Sequence, residues 1–236
     1  MTLDYIYHSG FAIEAEGVTV IIDYYKDSSE TEHNRGIVHD YLLQRPGKLY
    51  VLATHFHPDH FNREILTWKE AHPDIRYIFS KDILKSHRAK PEDATYIKKG
   101  ETYEDETIRI EAFGSTDVGI SFLMKAEGKL LFHAGDLNWW HWNGEPDAFN
   151  ADIEKSYTTE INRLKGEKID VAFVPADLRL QDKYFWAVNY FLKTVGAKRL
   201  FPMHFWGRFD VCTMLRQLGY GETIAEITQE NEKFEI

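Results

Sequence analysis

Three histidines and an aspartate lie within six consecutive positions of this chain: His55, His57, Asp59 and His60. Neutral imidazoles and a carboxylate form the ligand set that borderline divalent metals prefer. Pro58 disfavours a regular helix, so we expect a loop, and loops of this kind commonly carry functional residues. A solvated polar loop would not require four ligand-type side chains so close together. The run therefore predicts a metal-binding site.

The loop follows a predicted strand. Leu49–Thr54 is a continuous apolar run, typical of a strand buried on both faces, and it ends where the histidines begin. The other predicted strands are Leu3–His8, Phe11–Glu16, Val18–Asp23, Ile75–Ser80, Ala94–Lys98, Thr107–Phe113, Gly119–Ala126, Lys129–Ala134, Ile169–Val174 and Arg199–Phe201. Glu16-Gly17 and Glu127-Gly128 predict hairpin turns.

Helices are predicted mainly in the second half of the chain. Asn62 is expected to cap a helix that ends near His72, before Pro73. Further helices are predicted at Ile153–Lys165, Tyr184–Val195 and Phe209–Leu218, the last with Cys212 as a small buried residue. Strand-rich halves that each end in helices predict two sheets packed face to face with helices outside. Since no repeat or linker is present, we expect a single domain over residues 1–236.

The composition argues against several classes of protein. The formal net charge is −10, from 38 acidic and 28 basic residues, which disfavours binding to a nucleic-acid backbone. A single cysteine excludes an intramolecular disulfide and a multi-cysteine metal site. The sequence has no signal-peptide pattern and no apolar run long enough for a bilayer. We expect a cytoplasmic protein with a small-molecule substrate, no nucleic acid and no membrane; a homo-oligomer is compatible with the sequence.

The H-x-H-x-D-H run after a buried strand resembles the signature of the metallo-β-lactamase superfamily. Two later segments fit the same resemblance. Superfamily members have an Asp after a strand and a glycine, and Asp136 at the end of Leu130–Asp136 fits this feature. They also have a last His after a C-terminal strand, and His204 at the end of Arg199–His204 fits it. The resemblance implies an α/β fold, the four-layered αβ/βα metallo-β-lactamase sandwich, with a one- or two-metal site at one edge.

The resemblance also implies a role for each ligand-type residue. The implied ligands are His55 and His57 for one metal, and Asp59, His60 and His204 for the second, with Asp136 bridging the two. The cofactors would be one or two divalent metal ions, zinc or manganese, and a hydroxide between them would be the nucleophile at neutral pH. Asp59 would orient that hydroxide or accept its proton.

One segment departs from the superfamily pattern. Many members carry Gly-His-Thr-Pro-Gly-Ser before a strand, and that histidine completes the first metal site. Here the segment is Gly114-Ser115-Thr116-Asp117-Val118-Gly119, so Ser115 stands in place of the histidine. Asp117 is either a substitute ligand, which would favour harder cations such as manganese, or a turn residue beside a weakly binding site. The departure argues against a glyoxalase II or a zinc β-lactamase.

The segment Tyr7–Ile13 resembles the amino-terminal histidine segment of the L-ascorbate-6-phosphate lactonase-like branch, in which the histidine lies near the metal centre. A catalytic role for His8, beside Asp59, is what this resemblance implies. The alternative is a core or strand-end histidine that is bonded to the backbone.

Aromatic residues follow Asp136 closely. Three of the six tryptophans lie within four residues, and no helical period runs through them. We interpret them as a wall over the active site, with helical core packing as the alternative. The predicted substrate-binding residues are Asn138, Trp139, Trp140, His141, Asp177, Arg179 and Trp206. For Asp177 and Arg179 a surface ion pair is the alternative. Four other histidines are predicted at the surface: His33, His39, His72 and His87.

These features predict a metal-dependent hydrolase that acts on a small polar metabolite, either a lactone or a phosphoester. A phosphodiesterase or nuclease of the same superfamily is the alternative, which the acidic composition disfavours. A metal-dead binding module would have lost several ligands, whereas only the position of Ser115 departs from the pattern. A flavodiiron oxidoreductase would need Glu in place of His57 and an appended flavin domain.

Overall fold

The computed structural model describes residues 1–28 and 35–236, which form two compact units. Unit 1 comprises Met1–Lys98 and Ile227–Ile236, and unit 2 comprises Lys99–Glu226. Each unit contains one mixed β-sheet with flanking helices, which confirms the predicted α/β class with two sheets. A single domain over residues 1–236 stays a prediction.

The sheet of unit 1 has seven strands in the order β13-β1-β2-β3-β4-β5-β6. Their bounds are β1 Thr2–Tyr7, β2 Gly10–Ala15, β3 Val18–Ile22, β4 Lys48–Ala53, β5 Arg76–Ser80, β6 Thr95–Ile97 and β13 Glu232–Glu235. β13, β1, β2 and β3 pair antiparallel, whereas β3 to β6 pair parallel. β1, β3 and β4 therefore run in the same direction, and their carboxyl ends meet at one edge.

The register of this sheet aligns the strand ends. Tyr5, Phe11, Ile22 and Leu52 form one row of paired residues across β1 to β4. The residues that follow the row on β1, β3 and β4 leave the sheet at the same edge. This is the edge from which the histidine loop begins, directly after β4.

The helices of unit 1 are short. They are α1 Ile37–Asp40, α2 Lys81–Lys85 and the 3₁₀ segments Leu42–Gln44 and Arg63–Glu70. Asn62 caps the longer 3₁₀ segment, because its side chain accepts a hydrogen bond from the Glu64 N–H at 2.9 Å. One face of this segment buries Ile65 and Trp68 in the apolar core of the unit. The helix predicted after Asn62 is thus confirmed; it is a 3₁₀ helix and ends at Glu70.

The sheet of unit 2 has six strands in the order β12-β11-β10-β9-β8-β7. Their bounds are β7 Thr102–Glu104, β8 Ile108–Phe113, β9 Ser121–Ala126, β10 Lys129–His133, β11 Val171–Pro175 and β12 Arg199–Met203. β7 to β10 pair antiparallel, and β10, β11 and β12 pair parallel. The carboxyl ends of β10, β11 and β12 therefore lie side by side.

Longer helices belong to unit 2. They are α3 Asp147–Asn162, α4 Trp186–Thr194 and α5 Asp210–Leu215, together with the 3₁₀ segments Leu178–Lys183 and Gly221–Thr223 and the π-helical turn Arg216–Tyr220. Cys212 is fully buried in α5, as predicted.

Most sequence predictions of secondary structure are confirmed. Each predicted strand is present, with ends that differ by at most two residues. The predicted helix Ile153–Lys165 begins earlier, at Asp147. β7 and β13 were not predicted, because each is short and has an exposed face without a clear apolar alternation. Within residues 1–28 and 35–236, no helix has the length and apolar character needed to cross a membrane.

Candidate metal centre

The first two histidines of the loop lie side by side in unit 1. The Thr54 hydroxyl is 3.1 Å from Nδ1 of His55, and Nε2 of His55 is 3.1 Å from Nδ1 of His57. Two ring nitrogens that ligate one tetrahedral zinc at ~2.0–2.1 Å are about 3.3 Å apart. His55 is fully buried, whereas His57 is partly exposed. The spacing of these imidazoles therefore fits a shared metal ion.

His60 is oriented by a buried carboxylate. Its Nδ1 lies 2.8 Å from Oδ2 of Asp23, the residue that follows β3. Asp23 also accepts hydrogen bonds from the backbone N–H and the hydroxyl of Thr54, at 2.8 and 2.7 Å. Both Asp23 and His60 are fully buried. A histidine whose Nδ1–H donates to a carboxylate is oriented and made more basic, so Nε2 becomes the ligand nitrogen.

His8 approaches the same loop from the end of β1. Its Nε2 lies 3.3 Å from Oδ2 of Asp59, whose side chain is 20% exposed. Ligand atoms of His8, Asp59 and His60 all lie within 4.8 Å of one another. The backbone N–H of His8 donates to the Tyr5 hydroxyl at 2.9 Å. This bond holds the main chain at His8 and does not involve the imidazole ring, which lies beside Asp59.

Asp136 and His204 leave the sheet of unit 2 after β10 and β12. Nε2 of His204 lies 3.5 Å from Oδ1 of Asp136, and its Nδ1 lies 2.9 Å from Oδ2 of Asp177. Burial raises the pKa of Asp177, but hydrogen bonds from His204 and Arg179 have the larger combined effect and lower this pKa to about 2. The ionised carboxylate therefore orients His204 as Asp23 orients His60.

Asp177 and Arg179 form one ion pair on the loop after β11. The guanidinium Nε lies 2.8 Å, and Nη2 2.5 Å, from Oδ2 of Asp177. Asp177 is only 1% exposed, so the alternative of a surface ion pair is wrong for this carboxylate. The side chain of Arg179 is 51% exposed. The pair thus joins a buried carboxylate to a cation that reaches solvent.

The segment that departs from the superfamily pattern is tied to the Asp136 loop. The Thr116 hydroxyl donates to the carbonyl oxygen of Asn138 at 2.6 Å and accepts from its N–H at 2.9 Å. Asp117 is exposed, and its N–H donates to the Ser115 hydroxyl at 3.2 Å. Ligand atoms of Asp117 and Asp136 lie within 4.8 Å of one another. Asp117 therefore combines a turn position with a carboxylate near Asp136.

The tryptophan run divides between two environments of unit 2. Trp140 is buried, its indole N–H donates to the Asp136 carbonyl oxygen at 3.0 Å, and its ring centroid lies 5.3 Å from that of His204. Trp139 and His141 turn towards the aromatic side chains of α3 and α4, which are Tyr157, Trp186 and Tyr190. Trp140 thus lies beside a candidate ligand, whereas Trp139 and His141 pack against helices.

Asn138 is the most unusual polar residue of this run. It is 1% exposed, and neither atom of its side-chain amide has a hydrogen-bond partner within the described part of the chain. A buried amide of this kind costs free energy unless another group binds to it. The contact between Asn138 and a substrate stays a prediction.

Several site residues escaped the sequence analysis. Asp23 orients His60, and Thr116 holds the loop of Asp136 through its bonds to Asn138. Asp82 of α2 accepts a hydrogen bond from the Phe56 N–H at 2.9 Å and so holds the histidine loop. Burial raises the pKa of Asp82. For Asp23 the signal was available, since it is an acidic residue directly after a strand in which four of five residues are apolar.

The histidines predicted at the surface differ in placement. His33 lies outside the described residues. His87 is exposed and His72 is partly exposed. His39 is also partly exposed, and its ring is paired, with Nδ1 2.6 Å from Asp27 and Nε2 2.9 Å from Glu64.

Comparisons with known proteins agree with this architecture. A family model described as "Beta-lactamase superfamily domain" matches residues 2–204. A search of curated proteins gave no match. Among solved structures, the chain is similar to Igni18, a metallo hydrolase from the hyperthermophilic archaeon Ignicoccus hospitalis KIN4/I (TM-score 0.68, 17% identity, covering 100% of this chain and 98% of that one).

Two further structures are similar over nearly the whole chain. The metallo-beta-lactamase fold protein YhfI from Bacillus subtilis gives a TM-score of 0.64 at 11% identity, covering 99% of each chain. The short form of human tRNase Z gives 0.57 at 13% identity, covering 100% of this chain and 99% of that one. At these identities the likeness concerns the fold. Because the family match spans residues 2–204, the chain belongs to the beta-lactamase superfamily, and the solved structures show that it has the metallo-β-lactamase fold.

Proposed function

We propose that this chain hydrolyses a small polar metabolite, a lactone or a phosphoester, at a centre of one or two divalent metal ions. The observation that carries the proposal is a repeated arrangement. His60 and His204 each place Nδ1 against a buried carboxylate, at 2.8 Å from Asp23 and 2.9 Å from Asp177. A metal-ligating histidine characteristically has such a partner.

The proposed ligands follow the superfamily pattern and come from the histidine loop of unit 1 and from the ends of β10 and β12 in unit 2. They are His55 and His57 for the first metal, Asp59, His60 and His204 for the second, and Asp136 as the bridge. Asp117 is proposed as the additional ligand of the first metal. Imidazole and carboxylate donors suit zinc, and a larger share of carboxylate oxygens suits manganese.

When bound, such metals lower the pKa of a coordinated water and polarise an oxygen of the substrate. The residues of the chain supply the proton transfers and the orientation. Asp59 is 20% exposed and lies 3.3 Å from His8, so we propose that this pair holds and moves the proton that hydrolysis releases. Of the residues predicted to bind the substrate, we propose that Asn138, Trp140, Arg179 and Trp206 contact it and that Asp177 holds Arg179 and His204 in place. Trp139 and His141, which were also predicted, pack against α3 and α4.

Within the superfamily we propose a member of the L-ascorbate-6-phosphate lactonase-like branch, because the segment Tyr7–Ile13 resembles the amino-terminal histidine segment of that branch and His8 lies 3.3 Å from Asp59. We also propose a cytoplasmic location and a small-molecule substrate without nucleic acid or membrane. The fold likeness to tRNase Z keeps a phosphodiesterase or nuclease as the second candidate, and the net charge of −10 weighs against it.

Metal analysis combined with a substrate screen tests the proposal. Protein purified without added metal should contain at least one divalent ion per chain, and it should hydrolyse sugar lactones or phosphate esters after addition of zinc or manganese. His55→Ala should lower the turnover about 100-fold or more, because it removes a ligand. The matched control His72→Ala should retain the activity. Less than one ion per chain, without recovery on adding either metal, would contradict the proposal.

A further inference from the structure

Side chains of unit 2 form a continuous series of contacts that begins and ends at the His204 ring. The Trp140 ring lies 5.3 Å from the His204 ring, and it stacks on Trp142 at 5.9 Å with an interplanar angle of 2°. The Arg179 guanidinium lies 5.8 Å from the Trp142 ring and 5.4 Å from that of Trp206. The Trp206 ring returns to His204 at 5.7 Å. We call Trp140, Trp142, Trp206 and Arg179 the tryptophan–arginine wall.

Trp206 is held in this wall at a cost to stability. It is 39% exposed and is one of only three large hydrophobic residues classed as exposed in the part of the chain that the structure describes. Its φ is 53°, and that of His204 is 61°. Residues with large side chains rarely adopt positive φ angles of this kind. Where such a strained backbone angle is kept, it is mainly because function requires it. Core packing does not account for an indole that is both strained and partly in solvent.

Arg179 gives the wall a positive charge. Asp177 binds the edge of the guanidinium that carries Nε and Nη2, and 51% of the side chain is accessible to solvent. A guanidinium has five N–H donors in a planar fork, and the exposed half of this side chain can present donors to a ligand from solvent. In a chain of net charge −10, a local cation is needed to hold an anion. Stacking against two indoles also limits the rotamers of Arg179 and presents its charge in a fixed place.

We propose that the tryptophan–arginine wall selects the substrate of this hydrolase, and that the substrate is a small organic anion with a flat apolar body. The body would lie against Trp206 and Trp142, and a carboxylate or phosphate group would bind Arg179. His204 would place the bond to be hydrolysed beside the metal. The proposal rests on the proposed function, because it assigns a substrate class to the same site.

A purely structural role for Arg179 would have a different consequence. If the arginine served only to hold Asp177 and His204 in position, its replacement would weaken metal binding and lower activity on every substrate alike. Selection of an anion would instead affect charged ligands and spare neutral ones. This difference makes the two roles separable by measurement.

Binding of three fluorinated probes to the full-length chain tests the wall. The probes are 4-fluorophenylacetate, 4-fluorophenyl phosphate and the neutral 4-fluorobenzyl alcohol, followed by ¹⁹F NMR with metal-free and with metal-loaded protein. The wild type should bind at least one anion about tenfold more tightly than the alcohol. Arg179→Gln should remove that preference and Arg179→Lys should restore part of it. Trp206→Leu should weaken binding of all three probes about fivefold. The two anions distinguish a carboxylate from a phosphate requirement.

Arg109→Gln is the matched control, because Arg109 is 46% exposed and is also paired with acidic residues, which are Glu104 at 2.7 Å and Glu111 at 4.0 Å. It should bind the probes as the wild type does. Equal binding of the anions by Arg179→Gln and the wild type, in metal-free and loaded protein alike, would overturn the proposal. So would a wild type that binds the alcohol as tightly as both anions. Metal content is measured on the same samples, so a chain without metal contradicts the proposed function, while metal-free binding still decides the role of the wall.

Discussion

At the scale of single residues, the site depends on carboxylates that need not touch a metal. Asp23 bonds His60 and both polar groups of Thr54, so one side chain fixes the start and the end of the histidine loop. Because Asp23 is fully buried, its negative charge would be costly without these three donors. The carboxylate and the loop therefore stabilise one another.

We expect Asp23→Asn to lower the affinity for metal about 10- to 100-fold, because the amide is a poorer acceptor and no longer selects the Nδ1–H tautomer of His60. Competition with a chromophoric chelator measures the affinity. Asp74→Asn, an exposed residue of the same unit, serves as the control. An unchanged affinity in Asp23→Asn would show that His60 is positioned by other groups.

At the scale of elements, α3 supports the segment that carries Asp117. Glu160 of α3 is 4% exposed, and its carboxylate accepts a hydrogen bond from the Gly114 N–H at 2.8 Å. It also pairs with Lys99 and Arg163. Burial raises the pKa of Glu160, but these bonds outweigh burial and lower the pKa. The hydrogen bond from Lys99 has the largest lowering effect. The start of the segment is thus anchored to a helix by an ionised group.

Gly114 has no room for a side chain at this anchor. An added Cβ would lie 2.9 Å from Cδ and 3.0 Å from Oε2 of Glu160. We therefore expect Gly114→Ala to lower the free energy of unfolding by about 1–3 kcal/mol, as overpacking of a well-filled site does. Urea denaturation measures this change. Ser115→Ala, at the next position, should change it by less than ~0.5 kcal/mol. Equal stability of the two variants would mean that the segment shifts freely away from α3.

The contrast between loops and elements shows what could be predicted from the sequence. The candidate ligands His55, His57, Asp136 and His204 follow buried strands, and such positions can be recognised locally. The bond between Asp23 and His60 joins residues 37 positions apart and exists only because β3 pairs with β4 in one register. The bond between Gly114 and Glu160 spans 46 positions. Such partners depend on tertiary packing, which periodicity and spacing do not encode.

At the scale of the whole molecule, a buried ionic cluster joins the two ends of the described chain within unit 1. Asp4 on β1 faces Lys233 on β13, and Lys233 also pairs with Glu14 on β2. Burial, together with the hydrogen bond to Glu14, raises the pKa of Asp4 to about 7. Burial raises the pKa of Glu14 as well, but hydrogen bonds from Asp4, Lys233 and Tyr41 outweigh burial and lower the pKa of Glu14 to about 2. Asp4 is thus the proton-carrying member of the pair near neutral pH.

The raised pKa of Asp4 makes the stability depend on pH. In the unfolded chain Asp4 loses its proton near pH 3.9, whereas in the folded chain it retains the proton until about pH 7. The folded state binds more protons across this window, so the contribution of Asp4 to stability falls as the pH rises through it.

Asp4→Asn has no such titration and keeps the hydrogen bond to Glu14. Its stability relative to the wild type should therefore increase from pH 5 to pH 8, by up to about 1.4 kcal/mol per pH unit. Urea unfolding at four pH values measures the difference. If the free energy of unfolding changed with pH equally in variant and wild type, the proton would be carried by a residue other than Asp4. Asp210→Asn, an exposed aspartate, is the control.

The pairing of β1 with β13 also bears on how the protein is made. The bond between Asp4 and Lys233 joins residues 229 positions apart, so the ribosome must synthesise nearly all of the described chain before the first strand acquires its outer neighbour. Until then β1 presents an unpaired edge, and Asp4 and Glu14 lack their lysine. An unpaired strand edge is a template for association between chains, and contacts of such long range form late. The interval between synthesis of β1 and of β13 is therefore the period in which nascent chains are most exposed to aggregation.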